Sequence, residues 1–345
     1  NDELLREKAN KDIENYILKI IEISNKFNIK KKEILDVFEY LYRSDEYMDI
    51  NSILEDISKL GSINNVDLDI IGYSMLGRPI YALHLGQYDG PQMIMEGGTH
   101  ARQYVSTLFL IEEVKYLSSF DIRNGGVYIV PCVNPDGVDL VLSGVRNIPC
   151  KNLADYLLSI NGSMDFGLWK ANANAVDINV NYDALFGKGT QNVFCPASGN
   201  FVGFYPNSER ETRVMIEFTA KVSPSITLSW HTKGEVIYYG FETLDSESLD
   251  RDYNIGLKLS EVNNYPLIRT TGSVGGYSDY ISAYYNVPAY TIEIGASTIP
   301  HPIGIEYLME IFEQNKNVPV VALESVGGIL VNIESQIRNL FDCEK

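Results

Sequence analysis

Apolar positions near the start of the chain recur at three- and four-residue steps. Ile13, Tyr16, Ile17, Ile20, Ile21 and Phe27 form one series, and Ile34, Val37, Phe38 and Leu41 a second. Each predicts an amphipathic helix. Ile53, Ile57 and Leu60 predict a third, with Asn51 or Ser52 as its cap. Residues 1–62 therefore read as a helical N-terminal appendage. Packing on the main domain is its simplest role, and a pro-segment or partner-docking surface is the sharper one.

From Val66 the pattern shortens. Apolar runs at Val66–Ile71, Ile80–Leu85, Gln92–Met95, Val127–Val130, Ser225–Trp230, Val236–Tyr239 and Ala289–Ile294 predict strands. Helix-like runs lie among them at Val105–Tyr116, Glu209–Lys221, Ser246–Asn263, Tyr277–Tyr285 and Gly304–Asn315. The stretch Val320–Ile333, after Pro319, fits neither template. Alternation of this kind predicts an α/β domain over residues 63–345, with helices on both faces of a sheet. The segment 131–206 is rich in Asn, Gly, Pro and Asp and reads as a long functional loop.

Composition narrows the function. The chain has 345 residues, 45% hydrophobic, enough for one large core. Its formal charge of -18 is opposite to that of a nucleic-acid binder, so no nucleic-acid partner is expected. Cys132, Cys150, Cys195 and Cys343 form no C-x-x-C pair, so a cysteine zinc site is not expected. Their even number allows two disulfides, but nothing else points to an oxidising compartment. No apolar run approaches the roughly 18 residues of a membrane span. No export signal opens the chain, which points to the cytoplasm; the start at Asn1 leaves secretion after signal removal open.

The chemistry must draw on four histidines: His84, His100, His231 and His301. His84 lies within a strand pattern and His301 between Pro300 and Pro302 in a turn; both read as structural. His100 follows the run Met93–Met95, and His231 closes Ile226–Trp230. Ligands collect at the carboxyl ends of strands in open α/β sheets, so these two histidines can converge.

The local sequence Gly97-Gly98-Thr99-His100-Ala101-Arg102-Gln103-Tyr104 resembles the zinc metallocarboxypeptidase family (the funnelins), whose first metal motif is His-x-x-Glu. Further motifs follow in family order. They are Ile71-Gly72-Tyr73-Ser74 with Gly77-Arg78-Pro79-Ile80, Asn134-Pro135-Asp136-Gly137, Trp169-Lys170-Ala171-Asn172 with Val176-Asp177-Ile178-Asn179, Trp230-His231-Thr232-Lys233-Gly234-Glu235, and Tyr290-Thr291-Ile292-Glu293. Any one is weak; together they are specific. The resemblance implies a mixed, mostly parallel sheet and a Zn2+ cofactor held by His100, Gln103 and His231. It makes Glu293 the general base and Asp177 the residue that orients His100. Arg102, Asn179, Thr232 and Lys170 fall at substrate-binding positions.

Several positions depart from that family. Val180 stands where its carboxypeptidases carry an arginine that grips the substrate's terminal carboxylate, so action on ordinary C-termini is not expected. Gly167 and Lys170 stand near Trp169 in place of arginines, and Thr271 near the position of a mobile-loop tyrosine. The combination resembles the bacterial branch that cleaves γ-D-glutamyl–diaminopimelate bonds in cell-wall peptides, which makes a peptidoglycan stem peptide the expected partner. Gln103 stands where a ligand glutamate is expected, and offers zinc a neutral oxygen. Three readings follow: a zinc peptidase with weakened or altered activity, an inactive pseudopeptidase that still binds cell-wall peptides, or an introduced substitution in an active enzyme.

Overall fold

The computed structural model describes Lys19 and residues 48–333. Contacts divide the chain into Asn1–Met48 and Asp49–Lys345, and the second unit is described here. Apart from Lys19, the helices expected over Ile13–Phe27 and Ile34–Leu41 lie outside the described residues. The third expected helix is α1 (Ile50–Leu60), within the larger unit. Its cap is Asp49 rather than Asn51 or Ser52. The Asp49 carboxylate accepts from the Ser52 amide at 2.8 Å, and the Ser52 hydroxyl caps the Asp49 amide in return. Ile50, Ile53, Leu54, Ile57 and Leu60 form its buried face.

Eight strands make the main sheet: β1 (Asp67–Tyr73), β2 (Pro79–Gly86), β3 (Gln92–Glu96), β5 (Gly126–Val130), β6 (Ile226–His231), β7 (Val236–Tyr239), β8 (Leu267–Arg269) and β9 (Ala289–Glu293). Their order is β1-β2-β5-β3-β6-β9-β7-β8. β5, β3, β6 and β9 run parallel, and antiparallel strands flank them. β3 and β6 are buried along their whole length, as central parallel strands covered on both faces must be. This is the mixed, mostly parallel α/β sheet that the sequence implies. A side sheet pairs β4 (Phe120–Asn124) with β10 (Ile329–Asn332). No helix among the described residues is long and apolar enough to cross a membrane.

Two readings need correction. After helix α2 (Val105–Leu117), the segment 131–206 holds α3 (Pro135–Ser143) and α4 (Lys151–Asn161) rather than loop throughout. Asn134 caps α3 by accepting from the Gly137 amide at 3.0 Å, with Pro135 in its first turn. The stretch after Pro319 divides into a helix, Val318–Ser325, and strand β10. Arg78, at the start of β2, reaches Asp136 at 2.6 Å and Asp139 at 2.5 Å, both buried in α3. Two sequence motifs far apart in the chain thus meet in one ion-pair cluster. Cys132, Cys150 and Cys195 are all free thiols, so no disulfide joins the described residues.

Candidate metal and hydrolytic centre

Three neighbouring parallel strands deliver the site. His100 lies just beyond β3, while His231 ends β6 and Glu293 ends β9; these last two face each other in register. The chain leaves β3 through Gly97 and Gly98. Gly98 has φ +63, and a Cβ there would lie 2.4 Å from the Thr107 hydroxyl and 3.1 Å from the Cys132 backbone. Only glycine fits that turn. Ala101–Gln103 then forms a single 3-10 turn. Side chains three apart eclipse in such a turn, so His100 and Gln103 project together.

Three donor atoms meet at one point. His100 Nδ1 lies 3.2 Å from Gln103 Oε1 and 3.2 Å from His231 Nδ1, and His231 Nδ1 lies 2.9 Å from Gln103 Oε1. Zinc bonds of about 2.0–2.1 Å in a tetrahedron imply donor–donor edges of roughly 3.3 Å, close to these spacings. The Gln103 amide is held in this sense because its Nε2 donates to the Thr232 carbonyl, leaving Oε1 toward the histidines. Burial first, then neighbouring charge, holds both imidazoles below their ordinary pKa, His231 well below. Both are therefore neutral at pH 7, the state that ligates metal. Among the described residues no three His, Cys, Asp or Glu side chains form such a cluster, because the third donor is an amide. The donor set fits a divalent cation in number and spacing, but brings no negative charge of its own.

That charge comes from one step further out. Asp177 Oδ1 lies 3.1 Å from His100 Nε2, so it holds a proton there and frees Nδ1. Its other oxygen accepts from the Asn200 amide at 2.9 Å and pairs with Lys170 at 3.0 Å. Burial opposes ionisation of Asp177, but Lys170, His100 and the Asn200 amide outweigh it and hold the carboxyl well below its ordinary value. An Asp177→Asn protein is expected to bind zinc about 10–100-fold more weakly. Competition against a chromophoric chelator measures this; an unchanged affinity would remove Asp177 from the metal site.

Glu293 sits beside the cluster. Its Oε2 is buried with no hydrogen-bond partner. Burial pushes the carboxyl up to about 7, against the opposing pull of Lys170 and Arg102. A cleft of about 200 Å³ opens on one flank, lined by His100, Lys170, Asn179, Val180, Asn192 and Thr271 among others. Asn179 faces it directly. Lys170 is its only cation among the described residues, and it is tied to Asp177 and to Asn200 Oδ1, each at 3.0 Å. Arg102 does not line the cleft; its guanidinium lies 3.4 Å from the Leu168 carbonyl, and the charges of Asp177 and Glu293 act on it. Thr232 is buried, its carbonyl taken by Gln103 and its hydroxyl without a partner.

The two remaining histidines differ. His84 is buried in β2, stacked on Tyr88 and tilted against Tyr128, the sheet position expected of it. His301, also read as structural, stands near the site: Arg102, Lys233, His100 and Lys170 all act on its imidazole. A signal was present in the sequence, since His301 follows the strand of Glu293 by only a short loop.

Known proteins resemble this chain. The sequence model of the zinc carboxypeptidases matches residues 51–315. The gamma-D-glutamyl-L-diamino acid endopeptidase 1 of Lysinibacillus sphaericus is 29% identical over 287 residues, which cover 76% of this chain and 69% of that protein. The uncharacterized protein YqgT of Bacillus subtilis is 31% identical over 249 residues, covering 67% and 65%. Among solved structures, the carboxypeptidase A of Helicoverpa armigera superposes with a TM-score of 0.61 at 21% identity, over 78% of this chain and 71% of that one. The last likeness speaks to the fold.

Proposed function

From the premise that the chain belongs to the zinc carboxypeptidase family, we propose that it is a zinc peptidase of γ-D-glutamyl–diamino acid bonds in bacterial cell-wall peptides. One observation carries the proposal: His100, Gln103 and His231 aim three donors at one point, with Glu293 beside it and its Oε2 buried without a hydrogen-bond partner. These three residues would hold the ion, which supplies Lewis acidity toward water and a carbonyl when bound. Glu293, poised at about 7, takes a proton from the attacking water and returns it to the leaving amine. Asp177 keeps His100 in the tautomer that leaves Nδ1 free. Gln103 stands in the place of a ligand glutamate and weakens the hold on zinc.

The cleft supports the substrate class. Val180, Asn179, Thr190, Asn192 and Ser273 line it, and its single lysine is already paired. No free guanidinium there matches a terminal carboxylate, as release of ordinary C-terminal residues would need. A second reading, a binding protein without turnover, draws on the amide in the donor set.

The test supplies the zinc-loaded protein and its Gln103→Glu variant with a γ-D-glutamyl–diaminopimelyl peptide and an α-linked analogue. Mass spectrometry should show the diaminopimelyl amine released from the γ-linked peptide alone. Release of ordinary C-terminal residues without γ-cleavage would overturn the substrate assignment. Tight binding without cleavage by either protein would establish the second reading.

A further inference from the structure

Positive charge gathers beside the site, outside the cleft lining, in a chain whose Asp and Glu outnumber Lys and Arg by 46 to 28. Four segments are tied together there by their backbones. The Arg102 amide donates to the Trp169 carbonyl at 2.9 Å, Ile294 to His231 at 2.9 Å, and Gly234 to Gly295 at 2.9 Å. A Cβ on Gly167 would lie 3.6 Å from Pro302 Cδ, so the 301–302 turn abuts the loop before Trp169. Arg102, Lys233 and His301 come together on these segments.

All three hold unused capacity. Lys233 Nζ donates to the carbonyls of Ser297, at 2.9 Å, and Ile299, neither of which carries charge. Arg102 Nε is buried without a partner, and among the described residues the guanidinium's one hydrogen bond is the long one to Leu168. Among the described residues neither cation forms an ion pair with a carboxylate. His301 Nδ1 is also buried without a partner. Burial, then the charges of Arg102 and Lys233, push its imidazole down to about 4, so it is neutral and can donate one N–H. None of the three lines the cleft. Buried donors without acceptors and unpaired cations together suit an anion.

A γ-glutamyl bond supplies that anion. Its acyl residue is joined through the side-chain carboxyl, so its α-carboxylate stays free, two methylenes from the scissile carbonyl. An α-linked peptide of an uncharged residue has no carboxylate there; in an α-linked glutamyl peptide the side-chain carboxylate takes that distance and the amide branches from a different carbon. We propose that Arg102, Lys233 and His301 form a subsite for this α-carboxylate, on the acyl side of the scissile bond. The subsite rests on the γ-glutamyl reading and names the charged group of that residue which the chain holds.

The test measures binding by calorimetry in the Glu293→Gln chain, whose slowed turnover leaves the peptide intact over the titration. Two γ-D-glutamyl–diaminopimelate peptides are compared, one with a free α-carboxylate and one with an α-carboxamide. The carboxylate form should bind about 10–100-fold more tightly, the range of a charged hydrogen-bonded contact. Adding Lys233→Met should reduce that ratio toward one, and Lys233→Arg should retain it. If Lys233 merely braced the 297–299 loop, Lys233→Met would weaken both peptides alike, which would overturn its role. Equal affinities in the starting protein would overturn the subsite and leave the γ-glutamyl reading standing. Failure of both γ-linked peptides to bind, where an α-linked one does, would remove both.

Discussion

Gln103→Glu is expected to raise zinc affinity by more than about 100-fold. Changes to residues that merely orient a ligand shift affinity about 10–100-fold, and this change acts on a donor itself. As the site stands, two neutral imidazoles and a neutral amide oxygen face the ion. A carboxylate adds a full negative charge in a buried position, where charge is weakly screened. Geometry works in the same direction. The Gln103 Nε2 donates to the Thr232 carbonyl, and a carboxylate has no proton to offer there. It would turn from that carbonyl and bring its oxygens toward the histidines. Without metal the same carboxylate lies buried beside Glu293, so the variant's melting temperature should depend more steeply on zinc than the parent's. Chelator competition and thermal melts with and without zinc measure both effects. Equal affinity in the two proteins would show that the third donor is not at position 103.

The second large effect is expected from Glu293→Gln. Hydrolysis should fall about 10²–10⁴-fold, the usual contribution of a positioned proton carrier. Zinc affinity should change little, because Glu293 is not among the converging donors. The replacement keeps shape and burial but cannot exchange a proton. Glu293 is suited to the role because its buried Oε2 has no competing partner and its carboxyl sits near neutrality. Single-turnover rates on a γ-linked peptide, taken alongside metal content, separate proton transfer from metal loss. Full activity in the variant would move the base elsewhere in the site.

The frame of this site was legible in the sequence, and its finer connections were not. Apolar runs ending in His100 and His231 mark parallel strands, and parallel strands on adjacent tracks bring their ends together. Periodicity alone could not join Asp177 to His100, since that contact depends on the whole path between them; only the resemblance pointed to it. Helix α3 escaped because Asn134-Pro135-Asp136-Gly137 has the chemistry of a turn. It is also buried on nearly every side, so no polar face reveals a period. Lys170 lines the cleft, and its ammonium is also bound to Asp177, a pairing set by the tertiary fold that no local pattern shows. His301 was masked by its flanking prolines, which describe the local turn and say nothing of the cations brought to it.

The Gln103 amide has a hereditary consequence. Glutamine and glutamate codons differ by a single base, at the first position. Every other part of the frame stands ready around that side chain: the 3-10 turn, both imidazoles, and the carboxylate behind His100. One point mutation thus separates a centre of three neutral donors from one with a charged donor, in either direction. On the proposed reading, a lineage carrying this gene changes its grip on zinc at this one codon without rebuilding the fold.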